Sequence, residues 1–444
     1  MLDIKFIREN KGAVKKAIED KGVGLDLEKL LKLDEKRVDL AQEIEKLNAE
    51  KNKLNNEMKS VKPQGGHALG SAENKDEVIA KGKEVKEKLS KFDPEYKKVK
   101  QEYNELMLLV PNIPATDVPI GESDKDNEEI SKWGNIPEFN FEIKDHVELG
   151  KSLDLIDLEK GVKTSGFRGY YLKNEAVYLH MAVMMHALAK MQEKEFNMMI
   201  APTVVRDFAL TGSGHFPEGK EEIYQLANPG KDEKGTEMKD KFYLAGTSEP
   251  SLLAYYASRT FNEDELPIKA CGFSQCYRSE IGSYGKDTKG LYRVHEFMKV
   301  EQIVICKADI KESDKWQNEM KEIAEEMLQD LKLSYRIVNA CTGDMGTGKY
   351  RMYDIETWMP SRNSYGETHS DSSLTDWQAR RLNMKYKDKD GNVKHVYTLN
   401  NTVIASPRIL IAILENYQKK DGSVEVPKVL RKYMPGGIKI ISPR

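Results

Sequence analysis

The sequence lacks the features that would connect it to a metal scaffold, a disulfide or a membrane. Its four cysteines are Cys271, Cys276, Cys306 and Cys341. They form no Cys-x-x-Cys pair and no histidine-rich tract accompanies them, so we expect reduced thiols, with neither a disulfide nor zinc. The start, MLDIKFIREN, has no apolar signal segment, and no stretch approaches the ~18 consecutive apolar residues of a membrane helix. These absences predict a soluble, cytosolic protein.

The chain also lacks an excess of positive charge. Its 444 residues contain 70 Lys and Arg against 73 Asp and Glu, which gives a net charge of -3. This balance excludes a generally basic nucleic-acid coat, so any contact with nucleic acid must come from local basic faces. The length suits two or three domains with ample material for a hydrophobic core.

The first quarter of the chain is charged, poor in aromatic residues and patterned in sevens. One series of apolar residues contains Leu33, Leu40, Leu47, Leu54 and Val61. A second contains Val78, Val85, Phe92, Val99 and Leu106. Two heptad runs around a Gly/Pro loop at 62–72 predict an antiparallel coiled-coil hairpin about 50 Å long. Pro94 falls inside the second run, where proline can end or kink a helix.

The residues of this hairpin leave two functions open. It is either a generic dimerisation or spacer coil, or a surface whose lysines contact RNA phosphates, although interspersed glutamates are also typical of a solvated coil. These lysines are Lys46, Lys51, Lys53, Lys59, Lys81, Lys83, Lys86 and Lys88. The Pro-rich segment 110–119 and the acidic run 122–129 then predict a linker.

The segment Cys276–Glu301 predicts two antiparallel strands joined by a Gly- and Lys-rich turn. Alternation would place five side chains on one face: Arg278, Glu280, Arg293, Phe297 and Glu301. Guanidinium groups, carboxylates and a ring suit a bound nucleotide, whereas a solvated face of salt bridges is the alternative. His295 and Lys299 share the same parity, so we expect a bulge or twist to relieve crowding.

Three further segments contain candidate site residues. In GTSEPSLL, Thr247 or Ser248 caps an apolar helix, with Glu249 in its first turn. In ETHS, Glu367 and Ser370 are suitable ligands for a hard cation, or are an ordinary loop pair.

The third of these segments is ASPRILIAIL, near the C-terminal end. It places Arg408 in the first turn of an apolar helix, where the helix dipole disfavours a cation by a few tenths to ~1 kcal/mol. A positive residue at that position indicates a nearby anion, or a carboxylate to which the arginine reaches back.

Together these segments resemble class II aminoacyl-tRNA synthetases, and most of all the bacterial-type seryl-tRNA synthetase family. The helix and strand around Pro202 are similar to motif 1, Cys276–Glu301 to motif 2 and TLNNTVIASPRIL to motif 3. The resemblance implies an α+β fold, in which an antiparallel-sheet class II catalytic domain follows the coiled-coil hairpin. The implied domains are a tRNA-binding arm at 1–110, a linker at 111–130 and a catalytic domain at 131–444.

The resemblance also implies a serine–tRNA ligase that activates L-serine with ATP and transfers it to the 3′ end of tRNA(Ser). It implies Mg²⁺ with the ATP, no zinc, a homodimer through the motif 1 region, and contact between the arm and tRNA(Ser). The implied ATP-binding residues are Arg278, Glu280, Arg293, Phe297, Glu367, Ser370 and Arg408. The implied serine-binding residues are Thr247, Glu249, Arg278, Glu301, Asn400 and Thr402. Arg278, Arg408 and Glu301 are the implied catalytic residues, and Glu367 and Ser370 the metal ligands.

One position departs from the family pattern. Ser370-Asp371-Ser372 stands where relatives commonly have Ser-Cys-Ser, and an added carboxylate there would alter the metal geometry. A paralogue that loads a carrier protein is disfavoured because such relatives generally lack the full arm. An inactive scaffold is disfavoured because the motif arginines are present, and a zinc-dependent archaeal type because no inserted ligand domain is evident. We expect Glu301→Ala to abolish serine-dependent turnover and leave the fold intact.

Overall fold

The structure is a computed structural model that describes residues 1–60, 72–228, 230–231, 233–281 and 289–444. The chain forms two compact units. One consists of Asp3–Ile18 and Val23–Val110, and the other of Met1–Leu2, Glu19–Gly22 and Pro111–Arg444. The segment expected to be a linker, 111–130, therefore belongs to the second unit.

The first unit is built on a long helical hairpin, as predicted. The helices of the first 110 residues are α1 (Ile4–Glu9), α2 (Lys11–Asp20), α3 (Leu27–Ser60) and α4 (Ala72–Leu109), and the last two residues of α2 belong to the second unit. Heptad residues of α3 and α4 form a buried seam of Leu47, Leu54, Val85 and Leu89. The helix α4 continues through Pro94, so this proline does not end it. Val61 and most of the predicted loop lie outside the described residues.

One charged residue of the heptad seam, Arg37, is stabilised by two contacts. Arg37 occupies a core position of the first heptad run, yet its guanidinium donates to buried Asp34 at 2.6 Å. Its guanidinium carbon also lies 4.6 Å from the centroid of the Tyr103 ring on the other helix. The ion pair and the cation–π contact together stabilise a charge where the repeat calls for an apolar residue.

The second unit contains an antiparallel sheet with helices packed against it. Its strands are β1 (Glu128–Trp133), β2 (Ile156–Asp157), β3 (Tyr171–Leu172), β4 (Asn197–Ile200), β5 (Val204–Arg206), β6 (Phe242–Leu244), β7 (Thr260–Asn262), β8 (Ile268–Tyr277), β9 (Glu296–Cys306), β10 (Tyr335–Asn339), β11 (Arg351–Met359), β12 (Ser364–Ser373), β13 (Lys385–Lys387), β14 (Val393–His395), β15 (Tyr397–Ser406), β16 (Val424–Glu425) and β17 (Ile440–Ile441). Its helices are α5 (His146–Ser152), α6 (Leu158–Ser165), α7 (Glu175–Glu193), α8 (Asp207–Ser213), α9 (Glu249–Tyr255), α10 (Ile310–Asp330), α11 (Trp377–Leu382) and α12 (Arg408–Asn416).

The main sheet has the strand order β1-β10-β11-β12-β15-β9-β8-β4. Its neighbours pair antiparallel except for β4, which runs parallel to β8. Buried residues of α7, α10 and α12 form one apolar core with the sheet. The α+β class and the antiparallel catalytic sheet expected from the sequence are confirmed.

Alternation along β9 and β15 determines which side chains meet the helical layer and which meet the opposite face. Gln302 and Asn401 are cross-strand partners, and both donate to the backbone oxygen of Met320 in α10. Glu301 and Thr402 are the next pair, so they point to the opposite face. That second face is where the predicted site residues gather.

Two expectations about the whole chain can be compared with the structure directly. All four cysteines are buried free thiols. Of the helices that the structure describes, none combines the length and the apolar character needed to cross a membrane.

Candidate active site

The predicted pair of strands around the motif 2 segment is present as β8 and β9, but three of the predicted charged residues lie beyond the strand ends, and only Glu301 lies within β9. Arg278 and Glu280 follow β8, and Arg293 precedes β9. We expected a bulge or a twist; the β8–β9 register runs from Ile268 to Tyr277 without a shift, whereas the β9–β15 register shifts between Thr402 and Ile404, beside Glu301. Crowding is relieved because these side chains are not held in strand alternation. The turn residues 282–288 lie outside the described residues.

One cleft brings most of the predicted nucleotide-binding residues together. Its lining includes Arg278, Glu280, Arg293, Phe297, Glu367, Thr402 and Arg408. The Arg278 guanidinium carbon lies 5.3 Å from the Phe297 ring centroid, and its Nε donates to the backbone oxygen of Gly246 at 3.4 Å. A flat cation and a ring at the same wall are suited to a phosphate and an adjacent planar base.

Glu280 is held at the edge of this cleft by two arginines. Arg293 Nη1 lies 3.3 Å from Glu280 Oε2, and Arg168 Nη1 lies 3.4 Å from the same oxygen. Glu280 has a φ of 54°, a left-handed conformation that turns the chain after β8. The sequence analysis missed Arg168, because a lone arginine more than 100 residues upstream gives no local signal.

Arg408 is the first residue of α12, as the sequence predicted, and it reaches a carboxylate. Its Nη1 donates to the backbone oxygen of Glu367 at 2.7 Å and to Glu367 Oε2 at 3.2 Å. Partial burial raises the pKa of Glu367, but the guanidinium groups of Arg408, Arg278 and Arg293 outweigh it, and the pKa is lowered. Three arginines and two carboxylates, Glu280 and Glu367, therefore face this cleft.

The residues at the predicted metal site fit a hard cation. Asp354 and Ser370 are cross-strand partners on β11 and β12, and the Ser370 hydroxyl hydrogen-bonds the Asp354 carboxylate. Asp354 Oδ1 is buried without a hydrogen-bond partner. Burial and the neighbouring Glu367 charge raise the pKa of Asp354 well above its ordinary value. An orphaned buried oxygen beside Glu367 and Ser370 is the donor set that Mg²⁺ prefers, and Asp354 was missed by the sequence analysis.

Asp371 does not belong to this set, which corrects the expectation that it alters the metal geometry. Ser370 and Asp371 are consecutive on β12, so they point to opposite faces. Asp371 pairs across the sheet with Asn401, whose amide donates to α10. Both Asp371 oxygens are buried without partners, and burial raises the pKa well above its ordinary value.

We expect Asp371→Asn to stabilise the protein at pH 8 by about 1–3 kcal/mol, the cost of an unsatisfied buried polar group. The unfolded carboxyl loses its proton near pH 4 and the folded one at higher pH, so between these values the free energy of unfolding falls as pH rises. Asparagine removes this dependence, and its amide can donate to the unpartnered Asn401 oxygen. Melting temperatures at pH 5 and 8 test this.

Asp388→Asn is the matched control for that measurement. Its hydrogen bond from Lys394 lowers the pKa of Asp388 to about 2, so this carboxyl stays ionised throughout the interval. The control should therefore leave the pH 5 to 8 difference unchanged. Equal pH dependence in wild type and Asp371→Asn would contradict an uncompensated carboxyl at position 371.

The predicted amino-acid pocket lies on the same face of the sheet. Glu249 Oε1 accepts hydrogen bonds from Asn400 at 2.9 Å and from Gln378 at 2.6 Å. Ser248 occupies the N-cap position of α9 without a side-chain capping bond, and the Glu249 N–H points to Thr247 Oγ1 at 3.4 Å. Thr247, Glu249 and Asn400 are therefore brought together, with Gln378 as a contact the sequence analysis missed.

Glu301 is the most deeply placed carboxylate of this pocket. It is almost fully buried, it faces Thr402 across the β9–β15 pair, and its Oε2 lies 2.5 Å from Lys299 Nζ. Burial raises the pKa of Glu301, and the ammonium of Lys299 offsets only part of that rise. The shared parity of 299 and 301 was the signal that could have identified Lys299 as its partner.

A sheet of this topology, with arginines from motifs 2 and 3 around one cleft, defines a class II aminoacyl-tRNA synthetase core. Residues 231–417 match the tRNA synthetase class II core domain (G, H, P, S and T), and residues 1–114 match the seryl-tRNA synthetase N-terminal domain. The chain is 43% identical over 436 residues to the serine–tRNA ligase of Deinococcus radiodurans, covering 98% of each. It is 38% identical to that of Rubrobacter xylanophilus, covering 100% of this chain and 99% of the relative.

Solved structures agree with this assignment. The seryl-tRNA synthetase of Pyrococcus horikoshii complexed with ATP has a TM-score of 0.86 at 36% identity, with both chains covered fully. The cytoplasmic serine–tRNA ligase of Naegleria fowleri in complex with AMP has a TM-score of 0.82 at 28% identity, covering 100% of this chain and 99% of the other. The chain belongs to the seryl-tRNA synthetase family.

Proposed function

We propose that this chain activates L-serine with ATP and then transfers the seryl group to tRNA(Ser). In the first step the serine carboxylate attacks the α-phosphorus in line, and pyrophosphate leaves. In the second, the 3′-terminal ribose hydroxyl of tRNA(Ser) attacks the seryl carbonyl, and AMP leaves. Such phosphoryl chemistry depends on positioning and charge neutralisation rather than on a protein nucleophile.

The convergence of three arginines on one cleft is the observation that carries the proposal. Arg278 bridges the serine carboxylate and the α-phosphate, where charge moves during the reaction. Arg293 and Arg408 hold the γ-phosphate end of ATP. Before ATP binds, the charge of Arg293 is balanced by Glu280 and that of Arg408 by Glu367. The adenine stacks on the Phe297 ring, and Glu280 accepts a hydrogen bond from the adenine amino group.

The cation-binding residues complete this assignment. Glu367 and Ser370 would hold Mg²⁺, with Asp354 orienting the Ser370 hydroxyl through its hydrogen bond. When bound, the cation offsets phosphate charge and orients the pyrophosphate leaving group. The residues that bind the serine ammonium and hydroxyl groups are Glu301, Thr402, Asn400, Thr247 and Glu249.

Serine-dependent ATP–pyrophosphate exchange without tRNA tests the assignment, with alanine, threonine and cysteine as controls. Exchange with serine alone is expected. Alanine lacks the hydroxyl, and a site that hydrogen-bonds a hydroxyl rejects such an analogue by 10⁴ or more, whereas threonine keeps the hydroxyl and tests the fit around its additional methyl group. Exchange with another amino acid would show that the pocket binds a different substrate. No exchange from folded protein with magnesium would favour an inactive scaffold.

For the helical hairpin we propose electrostatic contact with tRNA(Ser). A combined change of four exposed lysines to glutamine should weaken tRNA binding and reduce the slope of log affinity against log salt by roughly one per lost contact. These lysines form no ion pair among the described residues, and they are Lys51, Lys53, Lys83 and Lys86. Pyrophosphate exchange should not change.

A second lysine variant is the control for the arm. Three other exposed lysines form ion pairs of 2.6, 2.8 and 2.7 Å within their own helices, so their charge is already partly neutralised. These are Lys46, Lys81 and Lys88. Changing them to glutamine should cost less tRNA affinity than the first set, and an unchanged salt slope in both variants would refute the contact.

We also propose a cytoplasmic homodimer that associates through the motif 1 region. One face of α7 exposes apolar side chains, and Ile200, the last residue of β4, is 87% exposed. The exposed residues on α7 are Val177, Tyr178, Met181 and Met185. A contiguous apolar surface of this kind is typical of a protein–protein interface and supports the dimer.

A further inference from the structure

A buried carboxylate in α12 connects this helix to two other segments of the second unit. Glu415 is fully buried and accepts four hydrogen bonds. Two come from His146, from its backbone N–H at 3.0 Å and its Nδ1 at 2.9 Å. Two come from Ser361, from its N–H at 3.0 Å and its Oγ at 2.8 Å. Because each of these donors meets the same carboxylate, the starts of α5 and of the turn after β11 are fixed to α12.

The other ring nitrogen of His146 extends this connection to the motif 2 segment. The Leu291 N–H donates a hydrogen bond to His146 Nε2 at 3.1 Å, so Nε2 is the acceptor. Nδ1 therefore carries the hydrogen and donates it in the hydrogen bond to Glu415. Gly290 allows this approach, because a Cβ at that position would lie 2.0 Å from Nε2. Its φ of 76° is also one that glycine adopts without strain.

The residues directly after Leu291 belong to the nucleotide cleft. The Tyr292 backbone oxygen accepts a hydrogen bond from Arg408 Nε at 3.1 Å. The guanidinium carbons of Arg362 and Arg408 each lie 4.3 Å from the Tyr292 ring centroid. Arg293 follows immediately, so the position of the 290–293 backbone determines where two phosphate-binding arginines point.

We propose that His146 and Glu415 are positioning residues for ATP, holding the 290–293 backbone against α12 so that Arg293 and Arg408 face one phosphate group. The inference rests on the proposed function. Neither residue lines the nucleotide cleft. Glu415 lies in the last turn of α12 and acts through His146, which accepts the hydrogen bond from the Leu291 N–H. Serine binding uses β9, β15 and α9, so it should be independent of this connection.

Two substitutions of His146 separate the bond to Leu291 from the bond to Glu415. In His146→Asn, the shorter amide can keep the donor near Nδ1 but loses the acceptor for Leu291. In His146→Gln, the longer amide can place its oxygen near Nε2 and accept from Leu291, while the backbone N–H of residue 146 still donates to Glu415 and keeps the connection to α12. We expect His146→Asn to raise the KM for ATP at least 10-fold with the KM for serine within 2-fold of wild type. His146→Gln should restore the KM for ATP to within about 3-fold.

His186→Asn is the control, since His186 is also a buried histidine hydrogen-bonded to a carboxylate, Asp330 at 3.0 Å, but lies outside the cleft. It should leave both KM values unchanged. If the His146 variants do not fold, Gly290→Ala displaces the turn without altering Glu415, and it should also raise the KM for ATP at least 10-fold. Equal KM values for ATP in His146→Asn and His146→Gln, or a wild-type value in Gly290→Ala, would overturn the proposal.

Calorimetric titration with ATP and Mg²⁺ distinguishes this failure from failure of the proposed function. Wild-type protein that binds ATP but shows no serine-dependent exchange would refute the function alone. In that case the dissociation constant for ATP still tests His146, with the same 10-fold weakening expected in His146→Asn. An unchanged dissociation constant would refute the positioning role by itself.

Discussion

Replacing Arg278 with alanine is expected to lower the kcat of serine-dependent ATP–pyrophosphate exchange by about 10³-fold. The guanidinium is placed to contact the reacting carboxylate and the α-phosphate together, where charge develops in the transition state. Its effect should therefore fall mainly on kcat, whereas Arg293→Ala should act mainly on the KM for ATP. Steady-state exchange at varied ATP and serine separates the two outcomes.

The protein should remain folded in this variant, because Arg278 makes few structural contacts. It stacks on Phe297 and donates one long hydrogen bond to a backbone oxygen. Arg259→Ala is a matched control, since Arg259 also lies over a phenylalanine ring, 4.6 Å from the Phe261 centroid, but outside the cleft. If the kcat of Arg278→Ala is within 10-fold of the wild-type value, Arg278 does not stabilise the transition state.

Regular elements of this fold could be predicted because their side-chain period is visible in the sequence. The heptads of α3 and α4 gave the hairpin, and their buried residues include Leu47 and Val85. The Ser-Pro start and the apolar run predicted Arg408 in the first turn of α12, and it is the first residue of that helix. Alternation within β15 likewise puts Asn400 and Thr402 on one face.

The parts of the site that lie outside helices and strands could not be predicted from side-chain periodicity. Arg278, Glu280 and Arg293 were assigned to strand faces, yet they lie in connections whose backbone follows no period, with Glu280 in the left-handed region. Arg168 reaches Glu280 from a distant segment that only tertiary packing identifies. Alternation along β12, had it been applied, would have separated Asp371 from Ser370.

Glu301→Gln is expected to lower kcat/KM for serine at least 10³-fold while the protein stays folded. The glutamine keeps the shape of the side chain but loses the negative charge that pairs with the serine ammonium in a water-poor pocket. A buried polar site left with a mismatched partner discriminates by about 10⁴ or more. Pyrophosphate exchange at varied serine, with ATP saturating, measures the loss, and the KM for ATP should change little.

The alanine variant expected from sequence to be structurally neutral should not be so. Lys299 is nearly buried, and its ammonium lies 2.5 Å from Glu301 Oε2. Alanine leaves the buried Lys299 ammonium with no partner at position 301, which costs about 3–5 kcal/mol, whereas the amide oxygen of Glu301→Gln can still accept a hydrogen bond from it. Glu301→Ala should therefore lose both activity and stability, so its inactivity alone would not identify a substrate contact.

A double variant separates those two effects. In Lys299→Met/Glu301→Leu the buried cation and its partner are both replaced by apolar side chains, so the stability lost in Glu301→Ala should return, since such a replacement of a buried pair is often neutral. Serine-dependent exchange should stay at least 10³-fold below wild type, because no carboxylate remains for the serine ammonium. If exchange recovers along with stability, Glu301 serves only to neutralise Lys299, and the ammonium must be read by Glu249 instead.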